Sequence, residues 1–198
     1  MSFRIEEKLS INFNQIFEFK KWLNCQGFKK LYEDRIVRSL YFENQSNKMF
    51  SDSEEGTVPR KKIRVRSYPY NNVSNEYFLE LKISSVEGRY KNKKKIDLQY
   101  LNKILNYGYM DQFYGTCYPK LLVSYLREYF QCNDSRITID NNILYEDYKN
   151  KNVSKKDEVI TVEIKSNYNQ SSDKLRSQFP FQRIRFSKYC RGFINLYY

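Results

Sequence analysis

Four cations stand on alternate positions of one short run, RKKIRVRSY, residues 60–68: Arg60, Lys62, Arg64 and Arg66, with Ile63 and Val65 between them. Such alternation belongs to a strand, where successive side chains leave on opposite faces. The pattern recurs along the chain. Arg4, Glu6 and Lys8 share a face. Glu80 and Lys82 oppose Leu79, Leu81 and Ile83, and Arg136, Thr138 and Asp140 oppose Ile137 and Ile139. Glu163 and Lys165 oppose Val162 and Ile164, and Arg183 and Arg185 oppose Ile184 and Phe186. The implied sheet is apolar on one face and almost wholly ionic on the other. Cations about 7 Å apart on one strand repel by roughly 2 kcal/mol at an effective dielectric near 20, and by less than a kcal/mol in water. A solvated sheet tolerates the pattern. An enclosed one needs anions and carboxylates to compensate.

Three readings follow: a solvated ionic face, a nucleic-acid surface, or an enclosed site for phosphates, which Arg binds bidentately and Lys as a point charge. The carboxylates discriminate. Glu6, Glu80, Asp140 and Glu163 intrude on the ionic faces, where a nucleic-acid groove gains nothing from them. A site that holds phosphates through Mg²⁺ or Mn²⁺ uses such hard oxygen ligands. The plainer account makes each a salt-bridge partner of its cationic neighbours.

The net charge of +12, from 35 Lys and Arg against 23 Asp and Glu, points to an anionic partner. The chain has no His, which excludes His general bases, Ser-His-Asp arrangements and His-ligated metals. Cys25, Cys117, Cys132 and Cys190 lack metal-site spacing and read as free thiols of a reducing compartment. The polar N-terminus is no signal peptide, and no apolar run approaches the roughly 20 residues of a membrane span. A cytoplasmic protein is expected.

The 198 residues suit a single domain, 1–198, and 19 Tyr with 14 Phe favour β structure. Strands are expected at FRIEEKLSI, IVRSLYFEN, PRKKIRVRSY, EYFLELKIS, GRYKNKKKI, KLLVSYLREYFQ, SRITIDNNILYEDY and VITVEIKSNY. Residues 44–57 read as a loop or short helical turn, and NNVSN as a hairpin turn. A first helix, capped by Asn12 with Gln15 and ended at Gly27, presents Phe13, Ile16, Phe17 and Leu23 inward. A second, capped by Asp97, presents Leu98, Leu101 and Leu105. SSDKLRSQFP reads as a short helix, and QRIRFSKYCRGFINLYY as strand into helix. Seven to nine strands with three or four helices, and no βαβ rhythm, give an α+β fold dominated by an antiparallel sheet.

The ordered set RIEEK, SLYFE, RKKIRVRSY, LELK, SYLREYF, RITID, VEIK and RFSKY, spanning Arg4 to about Tyr189, resembles the VTC domain. That is the polyphosphate polymerase domain of the triphosphate tunnel metalloenzyme (CYTH-like) superfamily. The resemblance implies a closed antiparallel β-barrel with short helices outside. Its ionic tunnel would bind ATP and inorganic polyphosphate, or another triphosphate, with Mn²⁺ or Mg²⁺. It implies that Lys62, Arg64, Arg66 and Lys82 face the transferring phosphate. Lys8, Arg60, Arg127, Arg136, Lys165, Arg185, Ser187 and Lys188 would hold phosphates, and Glu163, Glu6 and Glu80 the metal. Glu43 stands where Asp is usual, and residues 90–95 are lysine-rich where more arginine is expected. The implied reaction moves the γ-phosphate of ATP onto a polyphosphate chain. Tripolyphosphate or nucleotide hydrolysis by the same fold is one alternative, and a non-catalytic module that binds nucleic acid or polyphosphate, or a degenerate tunnel serving structure or sensing, is the other. Nucleic acid is the disfavoured partner.

Overall fold

The structure, a computed structural model, describes residues 4–69, 76–167 and 184–198, and the side chains of residues 4–6 and 167 are outside that description. Among the described residues ten strands and four α-helices follow the order β1 (Arg4–Ile11), α1 (Ile16–Cys25), β2 (Lys29–Glu43), α2 (Lys48–Glu55), β3 (Arg60–Ser67), β4 (Tyr77–Ser85), β5 (Gly88–Ile96), α3 (Leu98–Tyr107), β6 (Tyr109–Asp111), β7 (Gly115–Cys132), β8 (Ser135–Asp147), β9 (Ser154–Asp157), β10 (Ile160–Asn167) and α4 (Lys188–Tyr197). Hydrogen-bonded neighbours run β1-β10-β8-β7-β2-β3-β4-β5, with β6 on β7 and β9 on β8. The registers are antiparallel. The expected antiparallel α+β architecture is present, and among the described residues the strand path runs from β1 to β5 without a pairing that closes it. No helix among the described residues is long and apolar enough to cross a membrane.

The chain forms two compact units, each assembled from separate segments. The first comprises Met1–Arg35, Tyr125–Ile143 and Asp157–Phe186. Its core gathers the inward positions of three strands: Leu9 and Ile11 of β1, Ile137 and Ile139 of β8, and Val162 and Ile164 of β10, closed by Phe19, Leu23 and Phe28. Period two fixes the consequence, because burying these residues sends every intervening side chain to the other face. At the helix entrance the Gln15 side chain accepts from the Asn12 N–H at 2.8 Å, and Gly27 takes a left-handed φ of 77°. The helix stripe differs from expectation. Phe19 and Leu23 are buried, whereas Phe13 and Phe17 are 78% and 76% exposed. A 3-10 turn over Phe13–Gln15 precedes α1 and shifts the angular phase, so the stripe begins later.

The second unit comprises Ile36–Ser124, Leu144–Lys156 and Ser187–Tyr198. Ile63 and Val65 of β3 and Leu79 of β4 pack with Phe42, Met49, Ile96, and Leu101 and Ile104 of α3. Ile63 and Val65 therefore face helices, as their alternation requires. Asp97 caps α3 by accepting from the Tyr100 N–H at 2.7 Å. Leu98, expected inside, is exposed, and Ile104 is buried in the stripe with Leu101. Within residues 44–57, expected as a loop or short helical turn, α2 forms an eight-residue helix. Residues 184–187 carry no regular secondary structure, so no strand precedes α4 there. Gly192 lets α4 approach closely: a Cβ there would meet Tyr145 at 2.7 Å and Leu121 at 2.9 Å. That contact sets the position of the first turn of α4, with Lys188, and of its cap Ser187. The expected NNVSN turn, the SSDKLRSQFP helix and Arg183 lie outside the described residues.

Candidate functional site

The second unit carries the basic strand. Register pairs Arg66 with Ser39, Arg64 with Tyr41 on one side and Glu80 on the other, and Lys62 with Lys82. Lys82 in turn pairs with Lys91, and Glu80 with Lys93. Lys62, Lys82 and Lys91 thus stand in one lateral row across three strands. Like charges directly opposite one another destabilise a sheet, so the row marks a place suited to an anion.

The neighbours of each cation are built in. Arg64 is buried and donates from Nε and Nη2 to Glu80 Oε2, at 2.8 and 2.6 Å, and from Nη1 to the Tyr41 hydroxyl at 2.9 Å. Lys91 Nζ holds Glu80 Oε1 at 2.6 Å. Burial opposes the ionised Glu80, but the Arg64 and Arg66 charges and the Lys91 contact prevail and bring its pKa down to about 2. Arg66, also buried, donates from Nε and Nη2 to Ser39 Oγ at 3.2 Å each. Lys62 Nζ donates to Ser187 Oγ at 2.9 Å and lies 4.9 Å from the Tyr189 ring centroid. Ser187 also caps α4 by accepting from the Cys190 N–H. Lys82 is exposed, and Lys188 is half-buried in the first turn of α4. Arg60 is engaged locally: its Nη1 donates to the carbonyls of Gly56 and Thr57 beyond α2.

Two tyrosines complete this face. Tyr41 packs against Tyr189 in a tilted arrangement, 4.9 Å between centroids. Burial raises the Tyr41 pKa, but the Arg64 and Arg66 charges outweigh it and leave the hydroxyl below its usual value. The Tyr189 hydroxyl donates to Glu43, whose carboxyl also receives the N–H groups of Met49, Phe50 and Asn44. Burial pushes Glu43 up to about 8 in spite of those donors.

The first unit carries the other ionic face. Lys8 pairs in register with Glu163, Glu163 with Thr138, Lys165 with Arg136, and Thr161 with Asp140. Glu163 Oε1 meets Lys165 Nζ at 2.7 Å. Burial raises the Glu163 pKa, and the charges of Lys165, Arg127 and Lys8 more than reverse that, holding its carboxyl far below the usual range. Arg127 of β7 forms a fork on Asp140, Nε to Oδ1 at 2.5 Å and Nη2 to Oδ2 at 2.7 Å. Lys8 Nζ donates to the Phe186 carbonyl at 3.4 Å. Arg136 and Arg185 are exposed. The Glu6 backbone pairs with Lys165, and its side chain lies outside the described residues.

The structure thus gathers Lys62, Arg64, Arg66, Glu80, Lys82 and Ser187 in one unit, and Lys8, Arg127, Arg136, Glu163 and Lys165 in the other. Among the described residues no three His, Cys, Asp or Glu side chains are grouped to hold a metal ion. Glu163 is chemically compatible with a hard divalent cation: it is ionised, Thr138 stands opposite it, and Lys165 holds its Oε1. Glu80 suits one poorly, since Arg64 and Lys91 occupy its two oxygens. Tyr41 and Tyr189 were not among the expected site residues, although Tyr41 sits at the alternate position of SLYFE that points with Ser39.

A family model described as the VTC domain matches residues 3–115 and 106–197. No curated protein matches the chain. Among solved structures, the chain resembles a candidate adenylate cyclase from Bacillus halodurans, with 12% identity, 94% of each chain covered and a TM-score of 0.61. A candidate adenylate cyclase from Vibrio parahaemolyticus gives 12% identity, 98% of each chain and 0.56. A conserved hypothetical protein from Pyrococcus furiosus gives 14% identity, 98% of this chain, 90% of that chain and 0.51. At such identities the likeness is one of fold.

Proposed function

The chain belongs to the VTC domain family, and from that premise we propose that it is a metal-dependent phosphotransferase. It adds the γ-phosphate of ATP to a growing inorganic polyphosphate chain and releases ADP. The observation that carries this reading is the lateral row Lys62–Lys82–Lys91 beside buried Arg64 and Arg66, an array with more cations than carboxylates. The reading includes closure of the antiparallel sheet into the barrel that the family resemblance implies. It places the protein in the cytoplasm, where its four free cysteines stay reduced.

Lys62, Arg64, Arg66 and Lys82 neutralise the transferring phosphoryl group, whose charge is spread over its peripheral oxygens. Tyr41, Ser39 and Glu80 fix the two guanidinium groups before substrate arrives, which limits reorganisation during transfer. Glu80 serves here as the anchor of Arg64. Ser187 orients the Lys62 ammonium and donates its own proton to a phosphate oxygen once Lys62 turns to the substrate. Lys8, Arg127, Arg136, Lys165, Arg185 and Lys188 hold the remaining phosphates, with Arg60 at the strand entrance. Mn²⁺ or Mg²⁺ would be held by Glu163, with Glu6 as the second carboxylate, and would polarise phosphate oxygens when bound. The nucleophile is an oxygen of the terminal phosphate of the chain. It attacks the γ-phosphorus, the bond to the β,γ-bridging oxygen breaks, and ADP leaves. That nucleophile is already anionic, so the absence of histidine is no obstacle.

The test is the product balance with ATP and Mn²⁺. ADP formed together with polyphosphate, and without matching orthophosphate, is the expected result. Equal ADP and orthophosphate would replace the transferase with a hydrolase. No cleavage of ATP or tripolyphosphate would overturn the enzyme reading, and strong salt-sensitive RNA binding that triphosphate fails to displace would favour a nucleic-acid module.

A further inference from the structure

Around Glu163 the register of β8 and β10 makes a block of four oxygen-bearing side chains. Thr138 stands opposite Glu163, and Thr161 opposite Asp140. The carboxylates lie on one diagonal and the hydroxyls on the other, all on the face away from Ile137, Ile139 and Val162. Asp140 is committed to Arg127 through both oxygens. Glu163 holds Lys165 through Oε1. The threonines are different. They are only 5% and 2% exposed, and neither hydroxyl has a hydrogen-bond partner among the described residues.

A buried hydroxyl without a partner costs about 1–3 kcal/mol. Two of them flanking one carboxylate call for an occupant that satisfies both. Asp140 is neutralised by Arg127, so the pull on a cation comes from Glu163, whose Oε1 already holds the Lys165 ammonium. With no group of three His, Cys, Asp or Glu among the described residues, ligands beyond Glu163 must be other oxygens. Hydroxyl lone pairs suit a small hard cation that also keeps water and phosphate ligands. The position is already cation-selective, because an ammonium sits on it.

We propose that the Thr138 and Thr161 hydroxyls are ligands of a divalent cation that binds Glu163 in place of the Lys165 ammonium, freeing Lys165 to turn to a phosphate. This rests on the assignment of the metal to Glu163. The exchange keeps a positive charge on the carboxylate and satisfies both hydroxyls.

The test titrates Mn²⁺ alone into the full chain, follows the free-ion signal by electron paramagnetic resonance, and records unfolding temperatures of the metal-free proteins. The wild type should bind, and Glu163→Gln should not. Thr138→Val and Thr161→Val should each weaken Mn²⁺ binding by about tenfold or more, while the metal-free unfolding temperature holds or rises, because a methyl replaces an orphaned hydroxyl. If Glu163→Gln loses the ion while both valine variants bind like wild type, the threonine inference is wrong and the Glu163 assignment stands. If Glu163→Gln binds like wild type, or wild type does not bind, the Glu163 assignment fails and takes the inference with it. Should the valine variants not fold, Thr161→Ser and Thr161→Ala decide: serine should retain the ion and alanine lose it, and equal binding by the two overturns the inference.

Discussion

Replacing Glu80 by Gln removes the charge beside Arg64 while keeping the side chain's shape. Glu80 is wholly buried and accepts two bonds from Arg64, with Lys91 on its other oxygen. Burial alone would raise its pKa, yet the Arg64 and Arg66 charges and Lys91 bring it from 4.5 to about 2. At about 1.4 kcal/mol per unit, the ionised form gains about 3 kcal/mol on folding. Breaking a buried pair by removing one partner gives a similar figure, about 3–5 kcal/mol. The sign follows from linkage. A carboxylate with a depressed folded pKa adds stability that is fully present above its unfolded value and lost as pH falls through the folded one. Glu80→Gln should therefore be less stable by about 3 kcal/mol at pH 7, roughly 6–12 °C in unfolding temperature for a chain of this length. Urea unfolding followed by circular dichroism between pH 7 and pH 2 provides the measurement. The gap between the proteins should hold above about pH 4.5 and close towards about pH 2. Tripolyphosphate should restore much of the loss, because it supplies the anion that Arg64 has lost. Equal stabilities at pH 7, or a gap that stays constant to pH 2, would refute this account of the buried pair.

Glu43 should show the opposite pH dependence. Its folded pKa is pushed up to about 8, so its contribution is present below about 4.5 and lost as pH rises through 8. Glu43→Gln should gain on the order of 5 kcal/mol relative to wild type between pH 4 and pH 9 in the same unfolding assay. Arg127→Lys should lose the fork on Asp140 and about 1–3 kcal/mol of stability, read by chemical denaturation. Asp97→Ala should remove the α3 cap and cost about 0.5–2 kcal/mol, with the ionic faces and tripolyphosphate affinity unchanged by calorimetry.

Much of the sheet was legible because alternation is a local signal with one physical meaning. Ile63 and Val65 against the helices, with Arg64 and Arg66 behind them, follow from period two once either side is buried. The α1 stripe was not legible because a 3-10 turn rotates the helix phase, and nothing in NFNQIFEF announces it. α2 was only partly legible, since much of what holds it is nonlocal. Met49 is buried in the core, while the Lys48 N–H at the start of the helix donates to the Asn44 side chain. For the site, residue types and faces could be read, but partners could not. That Glu80 belongs to Arg64 and Lys91, Asp140 to Arg127, and Lys62 to Ser187 depends on registers between strands and helices far apart in sequence. That no described residue partners the Thr138 and Thr161 hydroxyls is a property of packing, which alternation alone does not reveal.

The central claim is that the β3–β4 ionic face takes phosphates. The most direct measurement is a titration with tripolyphosphate followed through the side-chain Nε–H resonances of Arg64 and Arg66 in ¹⁵N-labelled protein. Saturable shifts of both resonances, lost in Lys62→Ala at the same ligand concentration, are the expected result. Unmoved Arg64 and Arg66 resonances, with shifts confined to the backbone of the exposed lysines of β5, would contradict the account.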